Sequence, residues 1–279
     1  MSVKKVVDAE GLQYLVDLAD AAGVAIMKIY ARKESFANMA KVDSSPLTEA
    51  DLASNEVLVK GLTKRWPQIP VLSEESVNTF VNGERPELYW AVDPLDGTKE
   101  FIKGNGEFTV NIALVVNGEP KVGVIGAPAL GLMYVGVLGD VCDLESNATK
   151  RNANGWARIL VSDVKIDGLR DAPLRVAMSR SHPSTELAKW LEQFPEVHVR
   201  DIGSSLKFCL VAEGAADVYP RFGPTCIWDT AAGHALVVSA GGKVCQWDNM
   251  PLTYPEPSKT LNPFFMAMGS RDSLCNNKV

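Results

Sequence analysis

The sequence predicts a mixed α/β fold, and three observations carry that prediction. Apolar residues recur at helical spacing near the amino terminus, short strands dominate the rest of the first half, and strands alternate with helices in the second half. A chain of 279 residues accommodates one large α/β unit or two fused halves. We place a soft boundary near residue 150, between an α+β half (residues 1–150) and an α/β half (residues 151–279).

Two helices are predicted at the start of the chain. The first has an apolar stripe with the spacing of a core-facing helix, formed by Leu12, Leu15, Val16, Ala19, Ala22, Ile26 and Ile29. A polar, lysine-containing loop is expected over residues 34–46. The second helix is predicted to start near residue 48, where residues 48–51 form the capping-box pattern Thr-Glu-Ala-Asp, and to end before Pro67.

Short strands follow in the first half, at residues 70–75, 88–93, 108–116, 121–126, 132–138 and 157–161. Asn117 and Gly118 between two of them are a hairpin signal. Residues 122–139 carry no charge and are at the short limit for a membrane span. Their glycines and Pro128 favour two buried strands joined by a turn.

Strands and helices alternate in the second half. Strands are predicted at residues 174–178, 197–202, 216–219, 243–247 and 264–268. Helices are predicted at residues 184–194, 204–212 and 228–240, the last of them stopped by Gly241 and Gly242. Since α/β layers place ligand sites at strand ends, polar side chains just beyond the strands are the candidates for function.

The composition excludes several classes of function. A formal net charge of −6 argues against broad binding of nucleic acid or anionic membranes, although bound divalent cations can still recruit an anionic substrate. No long apolar segment follows the first lysines, so no signal peptide is predicted. The five cysteines and three histidines are scattered, which suggests free thiols in a reducing cytoplasm and no zinc site. No feature identifies a protein partner.

Carboxylates follow successive predicted strands. Glu74 and Glu75 end one strand, Asp93 and Asp96 end the next, and Asp229 begins a helix. Oxygen ligands of this kind suit Mg²⁺. Carboxylates stacked at adjacent strand ends would also repel one another unless a cation neutralised them. The sequence therefore predicts a magnesium site.

The turn that contains Asp93 and Asp96 offers more than two carboxylates. Its i, i+3 spacing aims both side chains inward, and the Leu95 carbonyl can add a neutral ligand. Gly97 allows close backbone approach, and its N–H together with that of Thr98 can hold a phosphate oxygen. The same run is also an ordinary turn signal. The metal site is favoured because a second predicted strand ends in Glu74 and Glu75.

Three motifs resemble those of the inositol monophosphatase superfamily of lithium-sensitive phosphatases. They are Leu-Ser-Glu-Glu at residues 72–75, Trp-Ala-Val-Asp-Pro-Leu-Asp-Gly-Thr-Lys-Glu-Phe at residues 90–101, and Trp-Asp-Thr-Ala-Ala-Gly at residues 228–233. The similarity spans the chain apart from the tail after Ser270. It implies an α-β-α-β-α layered sandwich and a magnesium-dependent phosphomonoesterase with two or three ions.

Within that superfamily the chain is similar to the 3′(2′),5′-bisphosphate nucleotidases. The similarity lies in residues 96–101, in Ser-Arg-Ser-His at residues 179–182 and in Gly-Ser-Ser-Leu-Lys-Phe at residues 203–208. It implies removal of the 3′-phosphate from adenosine 3′,5′-bisphosphate, or from its sulfated form. The alternative is an inositol or sugar monophosphatase with the same metal centre, although those enzymes usually have Asn where Glu100 stands. A binding module without catalysis would lack part of the catalytic set, and none is missing.

The resemblance assigns roles to the acidic residues. It implies that Glu74, Asp93 and the Leu95 carbonyl bind one magnesium ion, that Asp93, Asp96 and Asp229 bind a second, and that Glu74 with water holds a third. The plain alternative for Asp229 is an N-cap. Glu75 is expected to be structural, because adjacent residues on a strand point to opposite faces.

The resemblance also implies a catalytic pair, in which Thr98 orients the attacking water and Asp51 polarises the Thr98 hydroxyl. The plain alternative for Asp51 is a capping-box residue, and both roles are compatible beside a phosphate. Lys207 would pair with the 5′-phosphate unless it is a solvated surface lysine, and Arg221 is a further cationic candidate. The expected substrate contacts are Asp96, Gly97, Thr98, Ser179, His182, Gly203, Lys207 and Asp229.

Location follows from the same resemblance. Relatives can associate peripherally with the cytoplasmic face of the bacterial inner membrane, so that association is an expectation here. The sequence itself encodes no recognisable anchor.

Overall fold

A computed structural model describes residues 6–32, 49–79, 86–139, 144–163, 173–180 and 184–269. The first half contains α1 (Ala9–Tyr30), α2 (Glu49–Arg65), β1 (Val71–Ser73), a 3₁₀ helix (Glu74–Thr79), β2 (Leu88–Asp96), α3 (Thr98–Lys103), β3 (Thr109–Val116), β4 (Glu119–Ala127), a 3₁₀ turn (Pro128–Leu130), β5 (Leu132–Val137), β6 (Asn147–Asn152) and β7 (Gly155–Arg158). The second half contains β8 (Leu174–Ser179), α4 (Thr185–Leu191), β9 (Val197–Ile202), α5 (Leu206–Ala212), β10 (Val218–Arg221), α6 (Ile227–Ser239), β11 (Lys243–Gln246) and β12 (Phe265–Met268).

The strands form two sheets. Strands β1 to β7 lie in sequence order in the first sheet, with β1 and β2 parallel and every other neighbouring pair antiparallel. The second sheet has the order β11-β12-β10-β8-β9 and is mixed. The predicted boundary near residue 150 stays a prediction, and that residue lies within β6.

Helices and sheets stack as five layers. Helices α1 and α2 pack their apolar side chains on one face of the first sheet. Helices α5 and α6 lie between the two sheets and share one core with both. Leu187 and Trp190 of α4 cover the other face of the second sheet, against residues such as Val176 and Val218. The α-β-α-β-α arrangement expected from the resemblance is confirmed.

Local signals placed several elements correctly. In α1 the predicted stripe is buried except for Leu12, which is half-buried, and the Asp8 side chain caps the helix by accepting from the Gly11 N–H at 2.8 Å. Asn117 (φ +50°) and Gly118 (φ +80°) join β3 to β4, as the hairpin signal predicted. The polar loop at residues 34–46 and the first capping-box residue, Thr48, lie outside the described residues.

The uncharged stretch at residues 122–139 is confirmed as two strands. It forms most of β4 and all of β5, joined through the Pro128–Leu130 turn. In the described part of the chain, no helix is long and apolar enough to cross a membrane. Peripheral membrane association stays a prediction.

Three of the sequence-based strand assignments differ from the structure. The strand predicted at residues 70–75 ends at Ser73, and Glu74 instead begins a 3₁₀ helix. Strand β6 was missed because its sequence, Asn-Ala-Thr-Lys-Arg-Asn, is almost entirely polar and lacks an apolar alternation. It pairs with β7, which begins at Gly155 and ends at Arg158 instead of spanning residues 157–161.

Glycines in the first sheet let α6 approach it closely. A Cβ added to Gly123 would lie 2.2 Å from the Ala232 carbonyl oxygen, and one added to Gly136 would lie 2.5 Å from the Leu236 Cα. Both obstacles are helix backbone and cannot move aside as a side chain can. The glycines therefore set the position of the helix that carries Asp229.

We expect Gly123→Ala to lower the free energy of unfolding by about 2 kcal/mol or more, because the added methyl overpacks this contact. Gly126→Ala on the same strand is the matched control, since its Cβ would meet the flexible Met133 side chain at 3.3 Å and the Ala19 Cβ at an ordinary contact distance of 3.9 Å. Urea unfolding of both variants measures the difference. Equal stability of the two variants would contradict the close approach of α6 to the sheet.

Candidate active site and metal centre

The predicted carboxylates surround one cleft of about 280 Å³. It lies where the end of β2 and the start of α3 meet the starts of α5 and α6. Its lining includes these predicted site residues: Glu74, Asp93, Leu95, Asp96, Gly97, Thr98, Ser179, Gly203, Lys207 and Asp229. Asp51 reaches the cleft through Thr98. His182 lies outside the described residues, so its contact stays a prediction.

A bulge in β2 shapes the acidic turn. Asp93 pairs with Asn111 and Asp96 with Thr109, so β2 has one residue more than β3 across this interval. The Asp93 Oδ1 accepts from the Leu95 N–H at 3.0 Å. From α2, the buried Ser54 hydroxyl donates to the Pro94 carbonyl at 2.7 Å. The turn is therefore held both by its own side chain and by a neighbouring helix.

Gly97 closes the turn in the left-handed region, at φ +94°, and Thr98 begins α3. A Cβ at Gly97 would lie 3.1 Å from the Glu107 carbonyl oxygen and 3.2 Å from the Ser204 Cβ. The Thr98 N–H belongs to the first turn of a helix, where backbone donors have no intrahelical acceptor. An anion in the cleft can use such donors.

Ser205 and Asn111 support the acidic turn, and the sequence analysis missed both. The Ser205 hydroxyl donates to the Asp96 Oδ2 at 2.9 Å and accepts from the Asn111 amide at 2.9 Å. It also lies 3.1 Å from the Asp229 carbonyl oxygen. Ser205 thus links two segments that carry predicted ligands. A signal existed for Asn111, because it is a polar amide in a strand that is apolar from Ile112 to Val116.

Asp229 occupies the third position of α6, and Cys226 is the N-cap. Its Oδ2 accepts from the Cys226 N–H at 2.7 Å, which is half of a capping box. The plain alternative of an N-cap is therefore wrong in position, although Asp229 does help to cap the helix. Asp229 also lines the cleft while it makes this capping bond.

Thr98 and Asp51 lie within reach of each other. The Thr98 hydroxyl is 3.5 Å from the Asp51 Oδ1 and 3.4 Å from the Leu95 carbonyl, which are long hydrogen bonds. Asp51 is buried in the first turn of α2. The pair predicted to orient water is assembled, and its catalytic role stays a prediction.

The acidic groups raise one another's pKa values. Burial, together with Asp229 and Asp96, raises the pKa of Glu74 to about 8. Burial and then Asp96 raise the pKa of Asp229 to about 7. Asp93 is only 1% exposed, and burial followed by Glu74 raises its pKa well above the usual value. The raised pKa values reflect burial and mutual repulsion among the carboxylates, which a bound cation would relieve.

Glu75 was predicted to be structural because adjacent residues on a strand point to opposite faces. That argument does not apply, because Glu75 shares a 3₁₀ helix with Glu74. Burial and the nearby Asp51 raise the pKa of Glu75. The structure therefore places it at the edge of the same acidic group.

The donor set fits Mg²⁺ in chemistry. It consists of carboxylate and carbonyl oxygens, which are the ligands that Mg²⁺ prefers. Among the described residues, no group of three or more His, Cys, Asp or Glu side chains converges closely enough to hold an ion as placed. Asp93, Asp96 and Asp229 each direct a carboxylate oxygen to a protein donor instead. Each has a second oxygen and further lone pairs for a metal.

Cationic groups line the same cleft. Lys207 is only 5% exposed, so it is not a solvated surface lysine, and burial lowers its pKa to about 8. Its ammonium donates to the Ser204 carbonyl at 2.5 Å and lies 5.4 Å from the centre of the Tyr219 ring. Arg221 also lines the cleft, where its guanidinium donates to the Pro224 carbonyl at 3.0 Å. Ser179 at the end of β8 completes this wall.

Comparison with known proteins gives consistent matches. The model of the "Inositol monophosphatase family" matches residues 8–268. The chain is 46% identical over 254 residues to the 3′(2′),5′-bisphosphate nucleotidase CysQ of Salmonella typhimurium, and equally to that of Escherichia coli. Each alignment covers 91% of this chain and 98% of the relative.

Solved structures agree with these matches. The crystal structure of CysQ from Bacteroides thetaiotaomicron, a bacterial member of the inositol monophosphatase family, is 37% identical with a TM-score of 0.77. That match covers 94% of this chain and 98% of the other. An inositol monophosphatase from Anabaena is 28% identical with a TM-score of 0.69, covering 93% and 89% of the two chains.

Proposed function

The chain belongs to the inositol monophosphatase family, and from that premise we propose that it is a magnesium-dependent 3′(2′),5′-bisphosphate nucleotidase. It hydrolyses the 3′-phosphate of adenosine 3′,5′-bisphosphate to give AMP and phosphate, and the sulfated nucleotide is a further candidate. One observation carries the proposal: a single cleft is lined both by carboxylates and by the cations Lys207 and Arg221. A substrate with two phosphates can use the metal ions that the carboxylates would hold and the two cations together.

The carboxylates of the cleft would hold two or three magnesium ions. The ligands are the Leu95 carbonyl and the carboxylates of Glu74, Asp93, Asp96 and Asp229. When bound, Mg²⁺ supplies positive charge that stabilises the attacking and leaving oxygens of an in-line displacement. The charge repulsion among these carboxylates supports the assignment.

Thr98 positions the attacking water. Its hydroxyl proton is directed to the Asp51 Oδ1 or the Leu95 carbonyl. A lone pair on the Thr98 oxygen then accepts a hydrogen bond from the water and fixes its orientation. Asp51 is buried, so it holds the Thr98 side chain in one rotamer and does not contact substrate.

Lys207 and Arg221 recognise the nucleotide. Lys207 would pair with the 5′-phosphate, and burial favours that pairing because an unpaired ammonium is costly there. Arg221 lines the same cleft, and its guanidinium can donate two parallel hydrogen bonds to a phosphate group. Ser179 and the Gly203 backbone line the same cleft, where they could contact the ribose.

The second candidate function is an inositol or sugar monophosphatase. It would use the same metal-binding carboxylates. The chain's similarity to the Anabaena enzyme is consistent with it. Such substrates with one phosphate leave Lys207 and Arg221 without an anionic partner. The presence of these two cations in the cleft therefore favours the nucleotidase.

A substrate panel separates the two functions. We expect kcat/KM for adenosine 3′,5′-bisphosphate to exceed that for inositol 1-phosphate by roughly 10–100-fold, the effect of one or two charge-assisted hydrogen bonds. Activity is expected to require magnesium and to be inhibited by lithium, measured as phosphate release with and without chelator. A preference for inositol 1-phosphate would overturn the nucleotidase, and full activity after chelation would overturn the metal site.

A further inference from the structure

Glu107 lies just before β3 and contacts two segments beside the cleft. Its Oε2 accepts from the Gly203 N–H at 2.9 Å, and its Oε1 accepts from the Arg180 guanidinium at 2.9 Å. Arg180 in turn donates to the Asp201 carbonyl at 2.6 Å. Glu107 is only 18% exposed whereas Arg180 is 48% exposed, so the contact with Gly203 is partly buried and the ion pair with Arg180 is solvent-exposed. One carboxylate thus binds the end of β8 and the loop after β9.

The Glu107 backbone is wedged between two glycines. A Cβ on Gly203 would lie 2.7 Å from the Glu107 carbonyl oxygen and 2.6 Å from the Glu100 Cγ. A Cβ on Gly97 would lie 3.1 Å from the same carbonyl oxygen. The Glu107 N–H donates to the Asn105 side chain at 2.9 Å, which fixes this segment. The segment therefore spaces Gly97 of the acidic turn from Gly203.

The loop that follows Gly203 places Lys207. The Lys207 ammonium donates to the Ser204 carbonyl at 2.5 Å and lies 3.5 Å from that of Ile202. Ser204 has φ +50°, a left-handed conformation that costs a non-glycine residue energy and needs outside contacts to persist. The hydrogen bond from the Gly203 N–H to Glu107 is one such contact. A shift of this loop would move the Lys207 charge.

We propose that Glu107 is a positioning residue that sets the distance between the acidic turn and Lys207, and so confers the preference for a substrate with two phosphates. The inference rests on the proposed nucleotidase function. The acidic turn has its own supports, from the Ser54 hydroxyl and the Asp93 carboxylate. Loss of the Glu107 side chain therefore leaves the reaction centre in place and disturbs recognition of the second phosphate.

The test compares two nucleotides that differ only in the 5′-phosphate: adenosine 3′,5′-bisphosphate and adenosine 3′-monophosphate. It uses the full chain with magnesium. In Glu107→Ala we expect the preference for the bisphosphate to fall by about tenfold or more through a raised KM, because small misplacements of binding groups are costly. The kcat/KM for the monophosphate should stay within about twofold. Glu107→Gln keeps an acceptor for the Gly203 N–H and loses the charge facing Arg180, so we expect a fall of about threefold.

Glu119→Gln is the matched control, because Glu119 is 61% exposed, pairs only with Lys121 in the described structure and lies at the start of β4. It should change neither substrate. A preference that survives in Glu107→Ala, or equal losses for both nucleotides, overturns the positioning role alone. If Glu107→Ala does not fold, Glu107→Gln decides, and an unchanged preference overturns the role. A wild type that does not distinguish the nucleotides overturns the proposed function and this role with it.

Discussion

Asp93→Asn is expected to lower kcat by roughly 10³-fold or more, the rate equivalent of losing several kcal/mol of metal-derived charge stabilisation. Asp93 is buried at the centre of the acidic group, so no exposed carboxylate can take its place. The fold should persist. The asparagine oxygen can still accept from the Leu95 N–H, and the substitution removes a charge that its neighbours repel.

Phosphate release and magnesium titration by calorimetry measure this effect, and thermal unfolding measures the fold. The matched control is Asp20→Asn, which removes a carboxylate that pairs with Arg151 away from the cleft. It should leave kcat unchanged and alter stability by about 1 kcal/mol or less. Wild-type turnover in Asp93→Asn would exclude Asp93 as a metal ligand. Loss of the fold would contradict the expectation that an asparagine oxygen can replace the carboxylate as the acceptor for the Leu95 N–H.

The fold was largely predictable because its signals are local. The stripe in α1 and the Asn117–Gly118 turn each depend on a few neighbouring residues, and both are confirmed. Strand β6 was missed because the sheet, through β5 and β7, dictates its conformation, and its own residues do not. Glu74 was assigned to a strand for the converse reason. The β propensity of Val71 and Leu72 gives no sign of where the chain turns into a 3₁₀ helix.

The site was predictable in its residues and not in its connections. The acidic residues were recognised from strand ends and from the resemblance, and they do line one cleft. Ser205 and Glu107 were missed because each acts through a partner far along the chain. Ser205 reaches Asp96, and Glu107 reaches Gly203. No spacing rule relates residues that only the tertiary fold brings together, and a polar residue in a loop has many unremarkable explanations.

The burial of Lys207 also could not be predicted from the sequence. In sequence it is one lysine at a predicted helix start, where a solvated position is the ordinary outcome. Its burial comes from the packing of α5 between the two sheets and beside Tyr219. That packing is a property of the layers, so the sequence could nominate Lys207 without deciding its environment.

The metal-free protein is expected to lose stability as pH rises from 6.5 to 8. In the folded state the pKa of Asp229 is raised to about 7 and that of Glu74 to about 8, and the pKa of Asp93 is raised as well. In the unfolded chain these carboxyls are ionised throughout the window. The folded state therefore holds more protons than the unfolded state, and stability falls as pH rises.

Other buried groups oppose this trend at the edges of the window. Burial lowers the pKa of His234 to about 3, so below pH 6.5 the unfolded state takes up one proton that the folded state does not, and this offsets the contribution of one of the raised carboxyls. Lys207, with its pKa lowered to about 8, contributes a rise in stability only at higher pH. Between the two limits the acidic group of the cleft dominates.

Thermal unfolding in chelator at pH 6.5 and pH 8 measures the effect, and we expect Tm to fall by roughly 5–10 °C across the window. Magnesium should remove most of this fall, since it binds the ionised carboxylates of the folded state alone and stabilises it more at pH 8. Asp93→Asn should flatten the chelator profile by removing one member of the group. A Tm in chelator that is constant or rises between pH 6.5 and 8 would show that these carboxylates are already neutralised by the protein, and would remove the electrostatic argument for a cation in the cleft.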